Sequence, residues 1–348
     1  REPALVAEMR DANADRSAQS SVTGFHSKLE QLVGTPDSAS SLTSRLASFE
    51  ASLVSAASRP DLSGRLDQVV REANSITRSL NTASQGIQDM RVSADRSIQT
   101  AVSALNTKLV QVQELNVQIA GGSAAKRDVS ALFDHREALI GEIAELVPVK
   151  EMRRPNQGVA LYTQGGALLL DGNAAELAFT NANTIVPHMT QAGGLLSGIT
   201  INGVDVSVDP EHGPLRGGQL GAFFEIRDDL AVGVQAELDA VARDLSERMQ
   251  DAGLDPTTPT GAAGLFTDAG AYVDAANEVG LASRISVNAV VDPDRGGESW
   301  RLRDGLGAAV RGPVGNAELL QSFSSALSST RSYASGGFAG QIAAASDL

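Results

Sequence analysis

The sequence predicts an α+β protein, in which a long-helix bundle with a coiled-coil-like stem carries a small inserted antiparallel β domain. Three observations predict this. Apolar residues from Leu62 to Ile119 recur mostly at alternating steps of four and three, the heptad seam of a helix packed along its length. From Pro148 the period drops to two, and short apolar runs alternate with glycine-rich turns. At Gly217-Gly218 helical spacing returns. The expected division is a helical outgoing half over 1–147, an antiparallel β domain over 148–215, and a returning helix with a mixed α/β segment over 216–348 that packs on the stem.

The first helix is expected from about Glu2 to Val33. Its apolar face is clear only at Val22, Phe25, Leu29 and Leu32, and Gly34-Thr35-Pro36 ends it. A second helix, Ser38 to Ser58, carries Leu42, Leu46, Phe49, Leu53 and Ala57 in mostly heptad steps. Pro60 breaks the chain, and Asp61 or Ser63 can cap the next helix. The long seam then runs through Leu62, Leu66, Val69, Ala73, Ile76, Leu80, Ala83, Ile87, Met90 and Ala94. It takes two steps of four to Ile98 and Val102 and resumes at Leu105, Leu109, Val112, Asn116 and Ile119. This single stutter near Ile98 predicts local unwinding of the supercoil. At 1.5 Å per residue the helix is roughly 85 Å long. Propensity alone does not support such a length, so neighbouring helices must cover it. Gly64 and Gly86 each weaken it by up to ~1 kcal/mol.

Gly121-Gly122-Ser123 is expected to end the long helix, with glycine in the left-handed cap. Another helix starts near Asp128 and shows Val129, Leu132, Phe133, Arg136, Leu139, Ile140, Ile143, Leu146 and Val147. Strands are expected at 159–163, 167–170 and 176–180, and a hairpin at 198–208 around Asn202-Gly203, the preferred two-residue turn. The returning helix shows Leu220, Phe223, Leu230, Val234, Leu238, Val241, Leu245 and Met249. An irregular linker at 255–261, a strand at 285–291 and a last helix at 316–330 complete the chain.

Composition limits the function. The formal net charge is −14, and no basic stripe exists to displace counterions from phosphate, so neither nucleic acid nor an anionic membrane surface is an expected partner. Aromatic residues make up 4%, with Trp300 the single tryptophan, so the core must be aliphatic. There is no cysteine, which removes disulfides and thiolate metal sites. No apolar run reaches the roughly 18 residues of a membrane span. His26, His135, His188 and His212 are scattered and form no local metal spacing.

Asp134-His135-Arg136-Glu137 places an acid, an imidazole, a guanidinium and a second acid in a row. Consecutive helical residues diverge by about 100°, so they do not converge on one reacting atom as acid–base catalysis requires. A structural reading is preferred, and no catalytic residue, cofactor or metal is expected. Arg136 falls on the apolar face of its helix, and Asn116 holds a seam position on the long helix. With the turn centred near Ala124, antiparallel pairing brings the two to similar heights. Their hydrogen bonds, helped by Asp134 or Glu114, would cost stability but fix the register of the hairpin. The alternative is that Arg136 snorkels to solvent. Gly165-Gly166 and Gly193-Gly194 lack the helix start and Lys-Ser/Thr of a phosphate cradle and read as β-turns. Asp292-Pro293-Asp294, and Asp251 with Asp255, lack the acid ladder of a calcium loop. No Gly-x-Ser-x-Gly occurs.

Several pieces succeed one another in a specific order: Arg59-Pro60 then Arg65, the long helix, Leu115-Asn116-x-x-Ile119, and Leu132-Phe133-Asp134-x-Arg136-Glu137-x-Leu139-Ile140. The β-rich insert and Gly217-Gly218-Gln219-Leu220 continue the series. In this the chain resembles the flagellar hook-associated protein 1 family, that of the hook–filament junction. The similarity covers most of the chain and is strongest from about 59 to 250. Its most specific feature is the Asn helix followed by the Asp-x-Arg helix. Glu137 stands where the family usually has a second Asp, and Ser130-Ala131 where polar residues are common.

The resemblance implies a structural subunit and not an enzyme, exported through the flagellar type III apparatus without a cleaved signal and assembled side by side into a tubular joint outside the cell. The partners it implies are the flagellar hook protein, the second hook–filament junction protein, further copies of the full-length protein, and an export chaperone reached through a terminal segment. Arg1 is not a natural start, so the chain is expected to be a fragment lacking both terminal helical segments, soluble and monomeric. The alternatives are another flagellar axial protein (the second junction protein or a flagellin), a secreted glycan hydrolase working through paired carboxylates, and a signalling coiled coil.

Overall fold

The structure is a computed structural model and describes residues 3–34, 38, 41–251, 253–335, 339–342 and 345. Helix α1 spans Pro3–Val33 and is followed by Gly34 at φ 83°. Thr35 and Pro36, expected to end it, lie outside the described residues. Helix α2, Leu42–Ser58, starts later than expected because Ser41 is its N-cap and accepts the Ser44 N–H at 3.2 Å. Helix α3 runs unbroken from Ser63 to Ala124, 62 residues, and its seam residues from Leu66 to Ile119 include Ile76, Ile87, Ile98, Leu105 and Val112, all fully buried.

The end of α3 corrects the expected glycine cap. Gly121, Gly122 and Ser123 are helical, and the left-handed residue is Lys126, at φ 55°. The N–H of Arg127 reaches the Gly122 carbonyl at 2.9 Å and that of Lys126 the Ser123 carbonyl at 3.0 Å, the paired bonds of a Schellman motif. Gly122 serves another purpose: a Cβ there would lie 2.5 Å from Val129 Cγ1, so glycine lets the next helix close on this one. That helix is α4, Ser130–Leu146, led in by Asp128, whose Oδ1 accepts from the Ser130 N–H at 2.9 Å.

The β region forms two antiparallel sheets. Strands β1 (Val149–Arg153), β2 (Val159–Thr163), β3 (Leu168–Asp171) and β4 (Asn173–Ala174) lie in that order. Strands β5 (Leu177–Ala178), β6 (Ile199–Ile201) and β7 (Val204–Val206) make the second sheet. The hairpin turn is as expected, with Asn202 at φ 50° and Gly203 at φ 77° between paired Ile201 and Val204. Strands β1 and β4 are additional to the expected strands, and the one expected at 176–180 is reduced to β5.

The returning helix is not continuous. Helix α5, Gly218–Glu225, passes through a π-helical turn at Ile226–Leu230 into α6, Ala231–Gln250. In the π-turn the Ala231 N–H reaches back to the Ile226 carbonyl. Beyond it come β8 (Phe266–Asp268), α7 (Leu281–Arg284), β9 (Ile285–Val287), α8 (Arg301–Asp304), α9 (Glu318–Ser328), β10 (Arg331–Ala334) and β11 (Ala339–Ile342). The strand expected over 285–291 stops at β9 because Asn288 accepts the Val290 N–H at 3.2 Å and turns the chain into a short 3₁₀ segment.

Packing divides the chain differently from the expected 1–147, 148–215 and 216–348. One compact unit comprises 1–27, 89–185 and 189–231, and the other 28–88, 186–188 and 232–348. The β region does not form a separate core. Leu161, Leu169 and Leu170 share one cluster with Leu105 and Val112 of α3, Ile140 and Ile143 of α4, and Phe224 of α5. The second unit has its own core, in which Phe49 of α2 meets Phe266 of β8 edge-on at 5.8 Å and Phe323 of α9 is fully buried.

Candidate functional site: polar seams of the long helix

Helix α4 splits the tetrad as its periodicity requires. Arg136 is buried, while Asp134, His135 and Glu137 are exposed. Arg136 Nη1 donates to Asn116 Oδ1 and to the Gln157 carbonyl, both at 2.8 Å, and the guanidinium lies 5.2 Å from the Phe133 ring centre. Burial pulls the Arg136 pKa below its ordinary value, and the nearby charges of Glu151 and Glu137 act against that. Asp134 and Glu114 take no part in these bonds. Glu137 is held instead by Arg10 of α1 at 2.6 Å, whose other nitrogen reaches Glu151 of β1 at 3.2 Å.

Asn116 also grips the start of β2. Its Nδ2 donates to the Val159 carbonyl at 2.9 Å, and its Oδ1 accepts the Val159 N–H at 3.2 Å. The amide therefore does what a neighbouring strand would do. The same device recurs along α3. Asn106 exchanges both bonds with the Leu177 peptide, at 2.7 and 2.9 Å. Gln113 Oε1 accepts the Ala174 N–H, and Asp95 Oδ2 the Ala182 N–H, each at 2.6 Å. Residues 95, 106, 113 and 116 fall near one face of a straight helix. They supply acceptors and donors to the peptide groups of Val159, Ala174 and Leu177, each of which has a paired strand on one side only, and to Ala182, which lies outside any strand. Sequence reasoning found only Asn116, because it interrupts the apolar seam. Asn106 and Gln113 stand next to seam positions, where a polar residue ordinarily faces water.

At Asp95 the seam becomes ionic. Arg227, from the π-turn, is wholly buried and donates to Asp95 Oδ1 at 2.7 Å. It also pairs with Asp228 at 2.7 Å, donates to the Ser197 carbonyl at 3.0 Å, and lies 4.9 Å and 5.6 Å from the ring centres of Phe224 and Phe179. A buried charge survives when every face of it is met in this way. The sequence carries a signal for this site, since Arg227 stands four residues after Phe223 and three before Leu230, on the apolar face of the returning helix where a charge needs partners.

In the second unit α3 offers Asn81, whose Nδ2 donates to the Ala282 carbonyl at 2.8 Å, and Ser84 and Gln88, which both donate to Gln235 Oε1 at 2.9 Å. Gln235 passes a bond on to Asp239 at 2.9 Å. Asp239 accepts the Gly280 and Ala282 N–H groups at 2.7 and 2.8 Å. Burial raises the Asp239 pKa, and its hydrogen bonds and Arg284 oppose the rise.

Asp268, Asp292 and Asp255 bond to groups of their own chain. A surface depression is lined by Asp268, Ala276, Asn277, Val279 and Arg284, but Arg284 already pairs with Asp268 at 2.7 Å. Asp292 caps its own turn, accepting the Asp294 N–H at 3.1 Å, and Asp255 accepts the Leu306 N–H at 2.6 Å. Among the described residues no group of three His, Asp or Glu is placed to hold a metal ion, and no helix is long and apolar enough to cross a membrane.

The converging side chains on α3 bind peptide groups and side chains of their own chain, which defines a helical fold in which α3 presents polar seams to later segments. The profile of the flagellar hook-associated protein FlgK helical domain matches residues 26–265, and the chain belongs to that family. Flagellar hook-associated protein 1 of Bacillus subtilis (strain 168) is 26% identical over 208 residues, covering 57% of this chain and 40% of that protein. The structure of the flagellar hook junction protein FlgK from Burkholderia pseudomallei has the same fold at a TM-score of 0.58 and 22% identity, covering 74% of this chain and 46% of that one. The chain thus spans less than half the length of the relatives it matches.

Proposed function

We propose that this chain is part of a structural subunit that joins the flagellar hook to the filament. The observation that carries the reading is membership of the FlgK helical-domain family across residues 26–265. Family membership supports this reading over a flagellin, the second junction protein, a carboxylate-dependent glycan hydrolase and a signalling coiled coil. In this reading the hook protein lies on one side of the joint and the second junction protein on the other. Copies of the full-length subunit stand side by side in a tube, and an export chaperone meets the subunit before it leaves the cell through the type III apparatus. The polar seams support a mechanical role, because they hold the short strands against α3.

Deleting the gene in the source bacterium tests the proposal. The expected result is hooks of normal length without filaments, with flagellin shed into the medium. Normal filaments and motility in the deletion strain would overturn it. Within this reading, the Asn116–Arg136 pair sets the register of the α3–α4 hairpin, and Asp134 is relieved of the role the sequence suggested.

A further inference from the structure

Arg91 of α3 is 1% exposed and ranks among the largest wholly buried side chains. Its Nε donates to the Arg227 carbonyl at 2.8 Å, and its Nη2 to the Met189 carbonyl at 2.6 Å. Burial lowers its pKa, and the charges of Asp228 and Asp95 act to restore it. The positions of these contacts along the chain are informative. Asp89, Met189 and Ala231 are end residues of segments of the first unit. Arg91 follows the first closely, its second acceptor is Met189 itself, and its first acceptor lies in the π-turn that leads to Ala231. One guanidinium therefore meets three of the places where the chain enters or leaves this unit.

The π-turn helps to make the contact possible. In a π-turn the i→i+5 bonding interrupts the regular i→i+4 ladder, which opens backbone carbonyls to partners from outside the helix. Arg91 donates to a carbonyl inside that turn. The side chain of the same residue, Arg227, is held from another side by Asp95, Asp228 and the Ser197 carbonyl. Because the Arg91 cation is buried, losing either carbonyl leaves charge with fewer partners in a dry site, and the remaining contact then has less to hold it.

We propose that Arg91 is a positioning residue that ties α3, the Met189 turn and the π-turn into one joint of the first unit, so that the two turns open together. Hydrogen–deuterium exchange on the full chain and on the variants Arg91→Met and Arg91→Lys tests this. In Arg91→Met, amides of 189–197 and of 224–231 are expected to exchange at least tenfold faster and by matching factors, while β1 to β3 keep wild-type rates. Arg91→Lys, which keeps the charge but loses the planar fork, is expected to show the same pattern at smaller amplitude. Acceleration of one segment without the other, an even rise that includes β1 to β3, or no change would each overturn the proposal. Should Arg91→Met fail to fold, exchange of the unmodified chain in increasing denaturant still decides. Coincident opening of the two segments supports the tie, and separate opening refutes it.

Discussion

At the scale of single residues, the Asn116–Arg136 contact makes a measurable claim. A double-mutant cycle with Asn116→Ala and Arg136→Met is expected to show coupling of about 0.5–3 kcal/mol by urea denaturation, since each truncation removes a bond from the other residue's part-buried polar group. Asp134→Ala, on the exposed side of the same helix, should stay within about 0.5 kcal/mol of the parent. Additive single effects at 116 and 136 would mean that the two residues act separately. Asp239 gives a pH-dependent prediction. Its folded pKa lies above the ordinary value of 3.8, chiefly through burial. Folding therefore takes up a proton between the ordinary and the raised value, and the stability contributed by this group falls as pH rises through that interval. Asp239→Asn should flatten the wild-type stability profile in that interval, and an unchanged slope would assign it to other groups. Of these residues, Asn116 and Arg136 were legible in the sequence because both sit on apolar faces where a polar group needs a partner. Asp95, Asn106 and Gln113 were not, because their partners are peptide groups brought up from far along the chain.

At the scale of elements, glycines separate propensity from packing. Gly141 lies inside α4, and a Cβ added there would meet nothing within 4 Å, so Gly141→Ala should stabilise the protein by roughly 0.5–1 kcal/mol. At Gly86 of α3 a Cβ would stand 2.6 Å from both terminal carbons of Leu32. Gly86→Ala is therefore expected to lose roughly 1–3 kcal/mol through overpacking despite its better helix propensity. Thermal unfolding of the two variants checks both signs. By propensity Gly86 is only a weak point of the long helix, whereas the structure makes it the site where Leu32 approaches. The long helix itself was legible from its heptad steps, and the Asn-Gly hairpin from its turn chemistry. The π-turn was not, because an extra residue within a helix leaves the apolar spacing on either side looking continuous.

At the scale of the whole molecule, each compact unit has a core drawn from distant parts of the chain. Phe323 is fully buried in the second unit. Phe323→Ala should cost roughly 3–5 kcal/mol in denaturant unfolding, and a loss under about 1 kcal/mol would place α9 outside that core. The sequence by itself determined the order and type of the main elements, the uninterrupted run of α3 and the absence of local catalytic and metal motifs. These rest on interactions between residues close in the chain: helical and strand periodicity, glycine turns and side-chain caps. Only the tertiary structure decided where the compact units divide, which polar residues of α3 hold strand ends, and why the returning helix opens into a π-turn around a buried arginine. Those outcomes depend on which carbonyls and carboxylates arrive from elsewhere in the chain, and a buried polar group is tolerated only where such partners meet it.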